Sequence, residues 1–157
     1  MIHEMIRRHE GKRLRPYRCP AGKRTIGYGW NMDANPLPSD IASCLRCTGE
    51  ITEDMAERLL NISIDVATRS CADIFHGFKD FSERRRAALV DMCVNLGPWG
   101  LLGFKRMRRA ILAGDWNEAA NQVNDSEYWT QLGGDPKGTD DGRLERPEEI
   151  AEMLRNG

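Results

Sequence analysis

Glu10, Cys19 and Thr25 fall inside one stretch, HEGKRLRPYRCPAGKRTIGYG (residues 9–29), which sets one acid among many bases, beside a thiol and a hydroxyl. A carboxyl can give a proton to a leaving group as a general acid. A thiol beside Arg18, Lys23 and Arg24 can gain thiolate character and act as a base or nucleophile. A threonine hydroxyl can hold and orient a water molecule. Those are the parts of a hydrolysis. The same residues also fit a bland reading, in which Glu10 pairs with Arg8 or Arg13 at the surface, Cys19 is a turn residue and Thr25 a strand former. Spacing alone does not choose between them.

To act together these residues need a helix end and a tight hairpin. Ile2, Met5 and Ile6 mark the apolar side of a short first helix, which Gly11 can end as a C-cap. Glu10 then lies in the last turn. The negative end of the helix dipole and partial burial favour the protonated form a general acid needs, against the pull of the nearby bases. From Leu14 to Pro38 the helical period disappears. Pro16, Pro20, Gly22, Gly27, Gly29, Pro36 and Pro38 punctuate short β-prone pieces, and RTIGYGW is the best strand candidate. Cys19 and Thr25 flank the hairpin turn, so the hairpin can hold both against the end of the first helix.

The rest of the chain reads as helices. Thr52 can cap a long one over residues 52–70, with Glu53 and Asp54 at its positive end and Met55, Leu59, Ile62 and Val66 on its apolar face. Helical patterns follow at 82–96, 104–113, 115–124 and 147–155. Asp115 with Glu118 forms an acidic capping box, and Pro147 suits the first turn of the last helix. GGDPKGTDDG (residues 133–142) reads as an exposed polar loop. The fold class expected is α+β with segregated elements.

The 157 residues are 40% hydrophobic and 30% charged, and no apolar run approaches the roughly 18 residues of a membrane span, so a soluble globular chain is expected. The net charge of −1 hides an asymmetry: residues 1–30 carry eight Lys/Arg against two acids, and residues 139–157 six acids against three Arg. A basic end favours an anionic partner. Nucleic acid fits poorly, because only Tyr17 interleaves the bases of RRHEGKRLRPYR and no groove-reading motif appears. The five cysteines are irregularly spaced. Cys44-Leu45-Arg46-Cys47 lacks a second pair, which favours reduced thiols over zinc, with Cys71 and Cys93 as small core residues. No metal and no cofactor is expected. MIHEMIRRHE lacks the apolar core of a signal peptide, so synthesis in a cytoplasm is expected.

The catalytic stretch resembles that of the phage-type lysozymes, the endolysins of glycoside hydrolase family 24. Their signature is Glu, eight residues, Asp or sometimes Cys, five residues, then Thr, and Glu10, Cys19 and Thr25 keep that spacing. ITEDMAERLL (51–60) resembles the start of the family's long inter-lobe helix. RRAALVDMCVNLG (85–97) resembles its central buried helix, and GFKRMRRAILAGDWNEAANQV (103–123) the helix pair that follows. GRLERPEEI (142–150) resembles the Arg-containing segment before the last helix.

The resemblance implies a lysozyme-like fold with a small β-hairpin lobe (12–51) and a larger all-helical lobe (1–11 with 52–157), joined by the long helix. It implies that Glu10 protonates the glycosidic oxygen and that Thr25 places the attacking water. Cys19 stands where Asp is commoner, so the carboxylate-separation rule for stereochemistry does not apply; it would act as thiolate base or nucleophile, or help Thr25 hold water. Trp30 replaces the family's His after the last strand glycine. His9, beside Glu10, is a tempting substitute, but a helical neighbour points about 100° away. Asn95 and Tyr28 are the implied glycan contacts. Arg146, or Arg143, is the implied buried support of the site.

The activity implied is that of a muramidase cutting the β-1,4 bond between N-acetylmuramic acid and N-acetylglucosamine, for host-cell lysis. The partner implied is peptidoglycan, with no nucleic acid and no stable membrane insertion. The chain would be a monomer made in the host cytoplasm and acting in the periplasm after a separate holin releases it. A lytic transglycosylase and a non-catalytic peptidoglycan-binding protein are the alternatives.

Overall fold

The first helix, α1 (Ile2–Glu10), buries Met5 and Ile6 and carries Arg7, Arg8 and His9 in its last turn, where cations complement the helix dipole. It stops at Gly11, whose φ of 66° is open to glycine at little cost and whose N–H closes on the Arg7 carbonyl at 3.0 Å. The computed structural model describes residues 1–19, 21–125 and 146–157. The polar loop expected at 133–142 and Arg143 lie outside these residues.

Past Gly11 the chain forms a three-stranded antiparallel sheet in the order β1 (Arg13–Arg18), β2 (Arg24–Gly27), β3 (Trp30–Asn31). Tyr17 pairs with Thr25, and Ile26 with Trp30. An irregularity between Arg13 and Tyr17 accommodates Pro16, which has no N–H to give a ladder. A helix not expected from the sequence follows, α2 (Ser39–Thr48), ended by Gly49 in the left-handed conformation. Its one buried side chain, Ile41, is too thin a signal for a periodicity argument.

The long helix α3 (Glu53–Ile74) begins as expected, with the Thr52 hydroxyl accepting from the Met55 N–H at 3.2 Å. Its buried face is the expected one only in part: Leu59 is buried and Met55 half-buried, but Ile62 and Val66 are exposed, and Ala56, Leu60, Ile64, Ala67 and Cys71 are buried instead. At Ala56 the small side chain lets Gly27 come close, a Cβ built on Gly27 lying 3.7 Å from the Ala56 Cα.

A 3₁₀ turn (Phe78–Asp80) leads to α4 (Glu83–Gly103), which Gly97 breaks with φ 72° and ψ 168° just before Pro98. Helices α5 (Lys105–Leu112), α6 (Trp116–Asn124) and α7 (Arg146–Asn156) follow. Asp115 caps α6 by accepting from the Glu118 N–H at 2.9 Å, and Pro147 sits in the first turn of α7, both as expected. Cys71 and Cys93 are buried, and the Cys71 thiol donates to the Leu89 carbonyl at 3.4 Å. Its contact with Cys93, and then burial, push the Cys71 thiol well up.

The helices and the small sheet are the α+β class expected. The chain divides into two compact units, residues 1–66 and 67–157, with the boundary inside α3.

Candidate active site

In the first unit, α1 delivers Glu10 as its last residue, half-buried. Opposite it, Gly27, Tyr28 and Gly29 turn β2 into β3, with Gly27 at φ 66° and Gly29 at φ 79°. Gly29 approaches Glu10 so closely that a Cβ there would lie 2.7 Å from Oε2 and 3.1 Å from Cδ. The glycine is therefore required twice, by its backbone angle and by the carboxyl beside it.

Two ties hold this approach. Arg7 makes a forked contact with Glu57 of α3, Nε to Oε1 at 3.0 Å and Nη2 to Oε2 at 2.6 Å. The buried Tyr28 hydroxyl donates to the same Oε1 at 2.9 Å. Helix α1, the β2–β3 turn and α3 thus meet on one carboxylate, which the Arg7 hydrogen bond keeps below the ordinary glutamate range against the opposing effect of burial. Tyr28, the implied glycan contact, is here an internal strut. Trp30 is buried with its indole N–H donating to the Asn35 carbonyl at 3.2 Å, so it braces the turn after β3.

Cys19 and Thr25 come together at the other end of the hairpin. The ladder closes with the Cys19 N–H on the Lys23 carbonyl at 3.0 Å, and the Gly22 N–H returns to the Cys19 carbonyl at 2.7 Å. The backbone N–H of Lys23 is the main influence that draws the Cys19 thiol below its ordinary range. Burial opposes this; the Ala21 N–H, the Thr25 hydroxyl and the Lys23 charge assist. Of the three bases that the sequence sets beside the thiol, Lys23 assists with its charge, while Arg18 donates to the Gly22 carbonyl at 2.7 Å and Arg24 pairs with Asp33 at 2.7 Å.

Thr25 is only 4% exposed, and its hydroxyl also lies 3.1 Å from the Lys23 carbonyl.

The basic N-terminal stretch is partly spent inside the chain. Arg7, Lys12, Arg15 and Arg24 pair with Glu57, Glu53, Glu50 and Asp33. Charge therefore argues less for an anionic partner than composition suggested.

In the second unit, Arg146 opens α7 and donates through Nε to Asp91 Oδ2 at 2.8 Å and through Nη2 to the Asp91 carbonyl at 3.3 Å. Both side chains are buried, at 10% and 0% exposure. Asp91 is not among the residues expected at the site, although an acid inside the apolar run Ala87-Ala88-Leu89-Val90-Asp91-Met92-Cys93 is a visible signal of a buried partner. Asn95 is exposed on α4, two residues before the Gly97 break.

A family model described as phage lysozyme matches residues 7–145. The chain belongs to the phage lysozyme family. Phage lysozymes are glycoside hydrolases that act on peptidoglycan, and this chain is an enzyme of that class. It is 25% identical over 142 residues to probable T4-type lysozyme 1 of Dictyostelium discoideum, covering 81% of this chain and 84% of that protein. It is 30% identical over 146 residues to the pre-baseplate central spike protein Gp5 of Enterobacteria phage T4, covering 83% of this chain but only 25% of the spike protein. A shorter match, 38% over 64 residues, joins it to an endolysin of Acyrthosiphon pisum secondary endosymbiont phage 1, covering 40% of this chain and 42% of the endolysin.

Proposed function

We propose that this chain is a muramidase that hydrolyses the β-1,4 bond between N-acetylmuramic acid and N-acetylglucosamine, with Glu10 as general acid and the Cys19–Thr25 pair as the water-holding group. The observation that carries the proposal is the hairpin pairing that brings Cys19 and Thr25 onto neighbouring strands, in the same compact unit as Glu10.

In this reading Glu10 gives its proton to the glycosidic oxygen as the bond to the anomeric carbon breaks. A water held by Thr25 forms the new bond to that carbon and gives its proton to the Cys19 thiolate. The enzyme then holds a Glu10 carboxylate and a Cys19 thiol. Passing one proton from thiol to carboxylate through solvent restores the starting state. Asn95, exposed on α4, is the residue offered as a glycan contact. Arg146 supports the helical unit through Asp91, and Arg143 is the other residue offered for support of the site. The biological role is lysis of the host wall, by a monomer made in the cytoplasm and reaching the periplasm through a separate holin.

The test is clearing of outer-membrane-permeabilised Gram-negative cells by the wild type and by Glu10→Gln. The wild type is expected to clear the suspension, and the variant to lose about 10²–10⁴-fold in rate. Clearing by both, or by neither, overturns the proposal. Mass analysis of the released glycan is expected to show a hydrolysed reducing end; an anhydro end means a transglycosylase instead.

A further inference from the structure

The β1–β2 register places Tyr17 directly across from Thr25, so both side chains project from the same face of the sheet. The pairing continues through Arg18 and Arg24 to Cys19 and Lys23, and alternation puts Cys19 on that face too. Tyr17, Cys19 and Thr25 therefore form one row.

Tyr17 differs from Tyr28 in what its hydroxyl does. The Tyr28 hydroxyl is spent on Glu57. The Tyr17 hydroxyl has no hydrogen-bond partner among the described residues, although the side chain is half-buried. Nor is it sealed from solvent, because among the described residues the Arg108 Nε is the one buried side-chain N or O atom without a partner. The ring itself is held: the Arg13 guanidinium carbon lies 4.5 Å from its centroid. Burial first, and then the negative charge of Glu10, keep the phenol protonated and so a donor, with Arg13 opposing and Cys19 assisting.

A fixed ring with an unspent donor in the row of Cys19 and Thr25 is suited to grip an oxygen-rich ligand. We propose that Tyr17 is a further substrate-binding residue, its hydroxyl donating to an oxygen of the N-acetylhexosamine unit seated beside Glu10, Cys19 and Thr25. This rests on the muramidase reading of that site.

The experiment uses the full chain and purified Gram-negative sacculi, well below the melting temperature. Tyr17→Phe removes only the hydroxyl. It is expected to raise KM about three- to tenfold, the worth of one neutral hydrogen bond, while kcat and Tm stay near wild type. In parallel, Glu10→Gln with and without Tyr17→Phe is pelleted with sacculi, and the double variant is expected to bind about three- to tenfold more weakly. An unchanged KM with unchanged pelleting overturns the proposal. So does a fall in kcat and Tm at constant KM, which marks a structural role. Full activity of Glu10→Gln would sink the general-acid reading by itself, and pelleting would still decide the role of Tyr17.

Discussion

Gly29 leaves no room for a side chain against Glu10: a Cβ built on it would fall 2.7 Å from the carboxyl oxygen Oε2. The obstructed atoms are the far end of a flexible side chain, so a methyl there would displace the carboxyl more than the backbone. Gly29→Ala is expected to lose at least about tenfold in sacculus solubilisation, because an acid misplaced by an ångström no longer meets the leaving oxygen. The φ of 79° adds a backbone penalty, so urea denaturation should show about 1–2 kcal/mol of lost stability. Full activity in this variant would mean that the position of Glu10 is not critical.

Cys19 should write its thiol into the pH profile. Its pKa is lowered chiefly by the Lys23 N–H, so a thiolate-dependent rate should rise with pH through a value below the ordinary thiol range. Cys19→Asp should keep activity and move that rise down into the carboxylate range. Cys19→Ser should remove the rise and cost about tenfold or more in rate. If the serine variant keeps full activity and the same profile, the thiolate is not the base. The stability effect has the same sign: a depressed acid pKa stabilises the fold above the ordinary thiol value and ceases to do so as pH falls through the folded value.

The Arg7–Glu57–Tyr28 junction predicts a stability effect. Tyr28→Phe removes one hydrogen bond to Glu57 and should cost about 0.5–1.5 kcal/mol in chemical denaturation. Glu57 is held below the ordinary glutamate range by Arg7, so its contribution is present above that range and is lost as pH falls through the lower folded value. Glu57→Gln should therefore flatten the loss of Tm on acidification below the ordinary carboxylate range. An acid limb identical to wild type would show that the junction contributes nothing measurable.

The buried Asp91–Arg146 pair should be sensitive to removal of one partner. Arg146→Ala leaves a fully buried carboxylate without this cation and should cost about 3–5 kcal/mol in urea denaturation. The double variant Asp91→Leu with Arg146→Met removes both charges and should be more stable than Arg146→Ala. A double variant that is the least stable of the set would mean that the pair is worth more than its desolvation cost.

The sequence by itself determined what depends on near neighbours. The end of α1 at Gly11, the caps by Thr52 and Asp115, the break before Pro98 and the hairpin around Cys19 follow from backbone angles and side-chain donors a few residues apart. The Glu10, Cys19 and Thr25 motif was legible because its spacing is itself local. What only the tertiary structure decided are relations between distant residues: Gly29 against Glu10, Glu57 shared by Arg7 and Tyr28, and Asp91 beneath Arg146. The buried face of α3 kept Leu59 but took Ala56, Leu60, Ile64, Ala67 and Cys71 in place of Ile62 and Val66. Even the lowering of the Cys19 thiol is due first to a backbone N–H, with the charge of Lys23 assisting. A local pattern states which groups are present; only packing states which group each one faces.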